Sequence, residues 1–415
     1  MINRIPGTRD ILPPEISLWQ HIEAIARAIL SNYNYQEIRP PLVEEAGLFN
    51  RSLGDFTEVV QKQMFLIPKG DDLYALRPEG TASVVRAYIE NGLDKTTGFM
   101  KFFYTGPMFR LERPQKGRQR QFHHLGCEVF GSEGPLIDAE VIFLIKELLD
   151  AFKIEGYRIK LNSLGCQEDK KKFSRLLTER FEAEKSNFCQ ECNQRLKNNV
   201  LRILDCKNDS CRAIVDKLNI GHNHLCPECL DHFNKVKAHL EKLNVVFEIT
   251  PQLVRGLDYY TRTVFEITHS ELGAQDAVGA GGRYDNLVED LGGPKTPAIG
   301  FAFGMERLLL VTKLKNIERK GPSVYLITLG DKAKNESLAL LKNLRQEQIA
   351  CDTDFEEKSL KGSMRKANDI GADFVLILGD NELQKQTIML KDMALKSQEE
   401  IPLANLITEL KKRIK

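Results

Sequence analysis

The sequence predicts an α+β fold: an antiparallel sheet flanked by helices, with a small inserted domain and a C-terminal α/β domain. Three observations support this prediction. Strand-like runs with short connections fill much of the first third of the chain, six cysteines crowd together in the middle, and strands alternate with helices near the C-terminus. With 415 residues, the chain is long enough for two or three domains, each with its own core.

The composition is that of an ordinary globular protein. Charged residues make up 28% and hydrophobic residues 42% of the chain, and with a net charge of +1 any nucleic acid must be contacted by local basic patches. No apolar stretch approaches the ~20 residues that span a bilayer, and the N-terminal residues do not resemble a signal peptide. We therefore expect a cytoplasmic protein.

The first domain is predicted to begin with a helix and to continue as an antiparallel sheet. Residues 15–32 carry apolar side chains at helical spacing, and the proline pair at 40–41 ends the extended stretch that follows. Strand-like runs come next, without regular helical crossovers between them, at 63–67, 74–78, 100–106 and 128–132.

The middle and C-terminal segments have a different character. Residues about 165–245 are predicted to form an inserted domain, whose last helix has apolar side chains on one face: Leu230, Phe233, Val236, Leu240 and Leu243. From Gly321, strand-like runs alternate with helical ones, which predicts a compact α/β domain. The expected boundaries are 1–320 for the first domain, including the insert, and 321–415 for the second.

Six of the nine cysteines fall within residues 189–229, and in a chain of this length such clustering suggests metal before disulfides. Two C-x₂-C pairs, 33 residues apart, are the candidate zinc ligands: Cys189, Cys192, Cys226 and Cys229. Cys206 and Cys211 lie between the pairs, so the ligand set is ambiguous. Free buried thiols and a redox role are the alternatives to zinc.

The segment from Tyr104 to Gly131 carries the densest group of cations. Five basic residues fall within eleven positions: Arg110, Arg113, Lys116, Arg118 and Arg120. One interpretation is a solvated, charged hairpin. Because the flanks are strand-like and aromatic, the other interpretation is phosphate binding by an arginine fork, with Phe122 stacked on a base.

Two further segments place an arginine beside glycine. In "LVRGLDYYTRTVFE", residues 253–266, Arg255 either forms a surface ion pair with Asp258 or is a fixed cation at the end of a strand, with Gly256 keeping its approach clear. In "TPAIGFAFGMERLLL", residues 296–310, Arg307 either forms a surface ion pair or lies flat against a base. The sequence has no G-x-x-x-x-G-K-[ST] phosphate loop, so a nucleotide must be bound in another way.

Together these motifs resemble the histidyl-tRNA synthetases, which are class II aminoacyl-tRNA synthetases, over essentially the whole chain. "RPPLVEEAGLFNRSLG" (39–54), the 110–131 segment and "GFAFGMERLLL" (300–310) are similar to class II motifs 1, 2 and 3. "LVRGLDYYTRTVFE" and "GAGGRYDNLV" (279–288) resemble the two segments peculiar to this family. The resemblance implies a class II antiparallel sheet as the catalytic domain, a homodimer interface built by motif 1 and a C-terminal anticodon-binding domain.

The resemblance also implies an ATP site and the groups that act in adenylation. Arg110 and Arg255 match the arginines that contact the α-phosphate, and the second stands where other class II enzymes place a metal ion. Glu112 matches the glutamate near the adenine amino group, and Phe122 and Arg307 match the pair that encloses the ring. Mg²⁺ would accompany ATP through its phosphate oxygens.

The residues that match the family's histidine pocket are Glu79, Thr81, His124, Glu128, Arg255, Tyr259, Tyr260 and Tyr284. His124 stands where this family usually has glutamine, beside the ammonium group of the amino acid, and Gln119 stands where tyrosine is common. A protonated imidazole would repel that ammonium group. We therefore expect the affinity for histidine to fall below about pH 6 more steeply than in relatives with glutamine.

The function implied by the resemblance is a two-step ligation. Histidine and ATP give histidyl-adenylate and pyrophosphate, and the terminal ribose of tRNA(His) then accepts the histidyl group. The implied partners are L-histidine, ATP, this tRNA and a second copy of the chain. The alternative is a histidine-binding regulatory paralogue without ligase activity, although such proteins typically lack the second arginine segment and the C-terminal domain.

Overall fold

A computed structural model of the chain describes residues 2–54, 57–96, 98–115, 117–218, 220–273, 276–314, 321–356 and 358–414. Lys116 of the basic segment lies outside the described residues. The chain divides into two compact units, and the division falls between residues 314 and 321. Within the described residues, no helix is both long and apolar enough to cross a membrane.

An eight-stranded sheet lies at the centre of the first unit. Its strands, in spatial order, are β1 (Gln36–Glu37), β5 (Met100–Phe109), β6 (Gln121–Phe130), β11 (Ala298–Gly304), β10 (Ala277–Arg283), β9 (Thr261–His269), β7 (Tyr157–Ser163) and β8 (Glu248–Ile249). Neighbouring strands are antiparallel except for the two short edge strands, which pair parallel with β5 and β7. The predicted antiparallel sheet is confirmed.

Helices and a smaller sheet surround this centre. The helices are α1 (Glu15–Asn32), α2 (Ala46–Leu53), α3 (Thr81–Glu90), α4 (Pro135–Ala151), α9 (Leu287–Asp290) and α10 (Met305–Val311). The predicted first helix is confirmed as α1, whose buried side chains recur every three to four residues, at Trp19, Ile22, Ala26 and Leu30. The smaller sheet has the order β2 (Val43–Glu45), β4 (Asp72–Leu76), β3 (Phe65–Lys69).

Four helices form the insert between β7 and β8. They are α5 (Gln167–Glu182), α6 (Gln190–Asn198), α7 (Asp209–Lys217) and α8 (Pro227–Lys242), with a 3₁₀ segment at Val200–Asp205. The first three share a small core of their own, whereas α8 contributes Phe233, Val236 and Leu240 to the core of the large sheet. The apolar face predicted for α8 was too wide, because Leu230 and Leu243 are exposed.

The second unit is an α/β domain with a five-stranded sheet. Its spatial order is β13 (Cys351–Thr353), β12 (Val324–Leu329), β14 (Phe374–Gly379), β15 (Thr387–Asp392), β16 (Gln398–Pro402). Strands β13, β12 and β14 are parallel to one another, β15 is antiparallel to β14, and β16 is antiparallel to β15. The helices are α11 (Asp331–Gln346), α12 (Leu360–Asp369), α13 (Asp380–Lys385) and α14 (Leu406–Arg413). The alternation of strands and helices is the one that the sequence predicts.

Candidate active site

A cavity of about 1530 Å³ opens over the large sheet of the first unit. Its wall combines side chains from β5, β6, β9, β10 and β11, the loop before β9 and part of the insert. The structure brings eleven of the predicted site residues to this wall: Glu79, Thr81, Arg110, Glu112, Phe122, His124, Arg255, Tyr259, Tyr260, Tyr284 and Arg307.

Glu128 lies behind this wall rather than on it, with 1% of its surface exposed. Its carboxylate accepts hydrogen bonds from three hydroxyls that do line the cavity: Thr81 at 2.7 Å, Tyr284 at 2.5 Å and Tyr104 at 3.3 Å. Burial raises the pKa of Glu128 to about 8, although these hydrogen bonds favour the ionised form. Glu128 therefore contacts the cavity through the hydroxyls that it orients.

Three glycines make room for this buried network. A Cβ atom on Gly80 or Gly126 would lie 2.3 Å from the ring of Tyr104, which passes between the two positions. A Cβ atom on Gly300 would lie 1.8 Å from Oε2 of Glu128. Since real side chains cannot approach so closely, all three positions require glycine. The glycines in "RPEGT" and "HLGCE" were the available signal for Tyr104, which sequence reasoning missed as a site residue.

The second buried carboxylate, Glu79, is bound to the start of a helix. Its oxygens accept the backbone N–H groups of Thr81 at 2.7 Å and Ala82 at 2.8 Å, at the N-terminus of α3. A carboxylate at this end of a helix interacts favourably with the helix dipole. Burial nevertheless raises the pKa of Glu79 above its ordinary value. The position of this carboxylate is thus fixed by backbone donors.

The cavity wall also carries two arginines, Arg110 and Arg307, and the aromatic ring of Phe122. The Arg110 guanidinium lies 5.3 Å from the Phe122 ring centre and donates through Nε to the Pro78 carbonyl at 2.9 Å. Arg307 donates to the carbonyls of Gly117 at 3.0 Å and Ala277 at 2.5 Å. Its contacts are therefore with backbone oxygens, and the surface ion pair considered for it is wrong.

The basic segment is only partly a solvated hairpin. Glu112 is buried and forms ion pairs with Arg118 and, at 3.8 Å, with Arg110, so these cations face the cavity. Arg113 is exposed, and Arg120 donates to backbone carbonyls. Gln119 also lines the cavity. The segment thus divides into a cavity side and a solvent side.

Arg255 is a half-buried cation on the cavity wall. It pairs with Glu266 of β9, whereas Asp258 accepts a hydrogen bond from Asn199 at 2.8 Å, so the surface pair between Arg255 and Asp258 is wrong. Nε of Arg255 is buried and has no hydrogen-bond partner among the described residues. A buried donor in this state is costly unless a ligand completes it. This nitrogen therefore marks where an anionic group would bind.

The insert supports the backbone of this loop. Arg202, in the 3₁₀ segment, donates to the Arg255 carbonyl at 2.9 Å. A Cβ atom on Gly256 would meet Arg202 at 3.4 Å, an ordinary contact, so the structure gives no steric reason for glycine there. Sequence reasoning missed Arg202, Asn199 and Glu266, because only tertiary contacts connect these residues to the cavity.

His124 lies on β6 between the two ends of the cavity. Its Nδ1 atom is buried with no partner in the described part of the chain. Burial, followed by the charges of nearby arginines, lowers its pKa to about 3. The imidazole is therefore neutral at pH 6, which argues against the predicted loss of affinity near that pH through His124.

Three tyrosines close the cavity beside the carboxylates. The rings of Tyr259 and Tyr260 lie 4.6 Å apart, and those of Tyr259 and Tyr284 lie 5.6 Å apart. Burial raises the pKa of each phenol above its ordinary value, so all three hydroxyls are neutral donors at physiological pH. The wall they form combines apolar surface with hydroxyl groups.

The predicted zinc site is not assembled as expected. The two C-x₂-C pairs belong to different groups: one contains Cys189, Cys192, Cys206 and Cys211, and the other contains Cys166, Asp169, Cys226 and Cys229. Each pair lies at the start of its own helix, α6 or α8, and its partners come from other segments. The proposed joint ligand set is therefore wrong.

Comparison with known proteins agrees with the geometry. A sequence model described as histidyl-tRNA synthetase matches residues 7–308, and one described as anticodon binding domain matches residues 323–413. The chain is 45% identical over 417 residues to the histidine–tRNA ligase of Natranaerobius thermophilus, covering 99% of each protein. It is 43% identical to that of Desulforamulus reducens over all of both proteins. The apo crystal structure of S. aureus histidyl-tRNA synthetase superimposes with a TM-score of 0.82 at 35% identity, covering 99% of this chain and 100% of that one.

Proposed function

The chain belongs to the histidyl-tRNA synthetase family, and we propose how its residues divide the work of that reaction. The protein attaches L-histidine to its tRNA at the expense of ATP, through a histidyl-adenylate. In the first step, a carboxylate oxygen of histidine forms a bond to the α-phosphorus of ATP while the bond to pyrophosphate breaks. In the second step, the histidyl group passes to a terminal ribose hydroxyl of tRNA and AMP leaves. The relatives that match this chain at 43–45% identity over its full length are named histidine–tRNA ligase, which favours the ligase over a silent regulatory paralogue.

The proposed catalytic residues are Arg255 and Arg110. The observation that carries this assignment is Nε of Arg255 on the cavity wall, which is buried and has no hydrogen-bond partner in the described ranges of the chain. Negative charge grows on the α-phosphate oxygens as the carboxylate attacks, and a fixed cation directed at that charge lowers the barrier. Glu266 pairs with the guanidinium and the insert binds the Arg255 carbonyl, so both ends of this residue are positioned before ATP arrives.

The adenine ring is proposed to lie between Phe122 and Arg307. Arg307 is fixed by two backbone carbonyls, which leaves its planar guanidinium free to stack on a ring. Glu112 would accept from the adenine amino group after rearrangement of its pair with Arg118. ATP would enter as its magnesium complex, with the ion on phosphate oxygens.

The proposed histidine pocket is the end of the cavity built around Glu128. When Glu128 is ionised, the hydroxyls of Thr81 and Tyr284 both donate to it, so their oxygens are left to accept from the substrate. The neutral ring of His124 would accept from the substrate ammonium group, and Glu79 would balance its charge. The remaining wall, from Tyr259 and Tyr260, covers the imidazole. A side chain without ring nitrogens would leave these polar groups unpaired, which is the basis of strong selection.

Histidine-dependent exchange of labelled pyrophosphate into ATP tests the assignment. Exchange should be present in the parent and fall by two to three orders of magnitude in Arg255→Ala, the loss typical of removing one oxyanion donor, about 10²–10³. Arg158→Ala is the matched control, because Arg158 is an exposed arginine on neighbouring β7. Normal exchange in Arg255→Ala would remove that residue from the mechanism. Histidine binding by the parent without exchange would restore the regulatory alternative.

The C-terminal unit, residues 321–415, is proposed to bind the anticodon arm of tRNA(His), while the unit before it, residues 1–320 with its insert at about 165–245, performs both chemical steps. The match of this unit to an anticodon-binding domain supports the assignment. Cationic side chains would provide the phosphate contacts, so binding should weaken as salt rises. We place the reaction in the cytoplasm, where ATP and tRNA are available.

We also propose that the protein is a homodimer, joined through the small sheet β2-β4-β3. Exposed apolar side chains concentrate there: Leu42, Val43, Leu66, Ile67 and Leu73 are each between 41% and 48% exposed. Apolar surface of this kind marks interaction sites. Light scattering should give twice the chain mass of 47.2 kDa, and Leu66→Asp should give the monomer mass. Leu338→Asp, at an exposed leucine of the second unit, is the control.

A further inference from the structure

Four cysteine sulfurs converge in the insert, between α6 and α7. We propose that one structural Zn²⁺ is bound there by four thiolates, those of Cys189, Cys192, Cys206 and Cys211. We refer to these residues as the four-cysteine cluster. Their sulfur atoms all lie within 4.8 Å of one another, and the Sγ atoms of Cys189 and Cys206 are 4.0 Å apart. A tetrahedral site with Zn–S bonds of about 2.3 Å places its sulfurs about 3.8 Å apart, so the cluster needs only a small contraction.

The spacing of the cluster is typical of a zinc site when Cys189 is paired with Cys192 and Cys206 with Cys211. The motif is C-x₂-C-x₁₃-C-x₄-C, in which each half has the two to four intervening residues of a metal-binding turn. Three of the four residues are buried and the fourth is partly buried. Sulfur is therefore supplied from two separate turns, enclosed by the protein on most sides. Closed, all-thiolate coordination of this kind is structural rather than catalytic.

Backbone donors and nearby charge favour thiolates here. The N–H of Cys189 donates to Sγ of Cys211 at 3.3 Å, and the N–H of Cys192 donates to Sγ of Cys189 at 3.4 Å. Such second-layer donors stabilise the sulfur charge of a bound metal centre. Between residues 189 and 212 the sequence has five Lys or Arg and three Asp or Glu, an excess of two positive charges. This excess balances the two negative charges of Zn²⁺ with four thiolates.

The second cysteine group is a weaker candidate because its carboxylate is already used. Asp169 accepts the backbone N–H of Cys226 at 3.0 Å and that of Cys166 at 3.3 Å, one on each oxygen. This group can therefore hold its segments together through hydrogen bonds alone. The four-cysteine cluster contains sulfur ligands only.

Zinc at the cluster would organise the support of the active-site loop. Residues 193–205 lie between Cys192 and Cys206, and they include two of the insert residues that bind the loop: Asn199, which donates to Asp258, and Arg202, which donates to the Arg255 carbonyl. Binding deprotonates each thiol, so the proton leaves as the Zn–S bond forms and no redox partner is needed. The metal would act on catalysis only through the position of this segment.

Metal content of the full-length protein provides the test. The parent, purified under reducing conditions from zinc-supplied cells without metal-affinity resin, should contain about one zinc per chain by mass spectrometry. Cys206→Ser/Cys211→Ser should lose it, and Cys226→Ser/Cys229→Ser should keep it. Cys351→Ser, at a buried thiol of the second unit, is the matched control and should also keep it.

A second readout avoids variants that do not fold. Parent protein reconstituted with Co²⁺ should show the intense visible bands and thiolate charge-transfer absorption of a tetrahedral all-sulfur site. Removal of the metal with a chelator should lower the thermal midpoint and raise KM for histidine. A parent that takes up neither Zn²⁺ nor Co²⁺ with reduced thiols would overturn the proposal, as would metal that depends on Cys226 and Cys229 instead of the four-cysteine cluster.

Discussion

Replacing Glu128 with glutamine should stabilise the first unit at neutral pH, and it should weaken histidine binding above pH 8, where Glu128 is ionised. The carboxyl group is buried, and its pKa is raised from 4.5 to about 8. Above pH 4.5 the unfolded chain releases this proton, whereas the folded chain keeps it until the pH approaches 8. The folded state therefore loses stability as the pH rises through this window.

The size of the effect follows from the shift. One pKa unit corresponds to 1.36 kcal/mol, so burying this carboxyl costs about 1 kcal/mol at pH 5 and about 3 kcal/mol at pH 7. Glutamine has no group that titrates in this range, so any free-energy cost of its new hydrogen bonds is independent of pH. The stability of Glu128→Gln relative to the parent should thus increase by roughly 2 kcal/mol between pH 5 and pH 7.

Urea denaturation can measure this difference, because the chain has one tryptophan, Trp19, buried in the first unit. Its fluorescence reports on the unit that contains Glu128. Glu271→Gln, at an exposed carboxylate of the same unit, is the control, and its stability relative to the parent should not change between pH 5 and pH 7. A difference between Glu128→Gln and the parent that stays constant from pH 5 to pH 7 would refute the reasoning.

The same variant should bind histidine less well. Above about pH 8 Glu128 is ionised and accepts from both hydroxyls, whereas the amide of glutamine must donate to one of them, so Thr81 or Tyr284 would have to turn its proton away. Loss of one oriented hydrogen bond in a buried site costs about 1–3 kcal/mol, and KM for histidine in pyrophosphate exchange above pH 8 should rise about tenfold or more. If the variant were more stable but its KM for histidine were unchanged, the Glu128 carboxylate would not be needed for substrate recognition.

Three other substitutions test the site and its support. Gly300→Ala places a Cβ atom on the Glu128 carboxylate and should lower the free energy of unfolding by about 1–3 kcal/mol, whereas Gly47→Ala, with open space around it, should be neutral or stabilising in the same urea titration. His124→Gln should leave the ratio of histidine affinities at pH 5 and pH 7 unchanged from the parent, because the imidazole pKa of about 3 keeps it neutral throughout; a calorimetric ratio that differs would contradict this. Asp138→Ala removes one ion-pair partner of Arg283, which is fully buried, and should lower the free energy of unfolding of the first unit by about 3–5 kcal/mol. A loss below about 1 kcal/mol would show that the remaining partner, Asp285, is sufficient.

The local features of the fold were predictable because local sequence determines them. Helix α1 has a continuous stripe at helical spacing, and the ten-residue strands β5 and β6 are rich in aromatic and β-favouring residues. The motif arginines were also found, because Arg110, Arg255 and Arg307 each stand in a distinctive string of residues. Such patterns need no knowledge of which segments meet in space.

The pairing of the cysteines could not be predicted in this way. The two C-x₂-C units have identical spacing, so the sequence favours joining them, yet each lies at the start of a different helix. Contacts between Cys192 and Cys206 depend on how the thirteen residues between them fold back. The same applies to Glu128, since only the register of β6 against β11, which pairs it with Gly300, turns its carboxylate behind the cavity wall.

The polar groups of the cavity are of two kinds: those that already have hydrogen-bond partners within the protein, and those whose partners would come from a bound molecule. The carboxylates of Glu79 and Glu128 are already bound by backbone and hydroxyl donors, so they need no ligand to be satisfied. Nε of Arg255 and Nδ1 of His124 are buried with no partner among the described residues, so each can form a hydrogen bond with a bound ligand. An anionic phosphate suits the first and a substrate ammonium group suits the second. Because the satisfied groups fix the geometry and the unsatisfied ones lie on the cavity wall, the rigid network is separate from the atoms that meet the reacting molecules, which is the arrangement that preorganised catalysis requires.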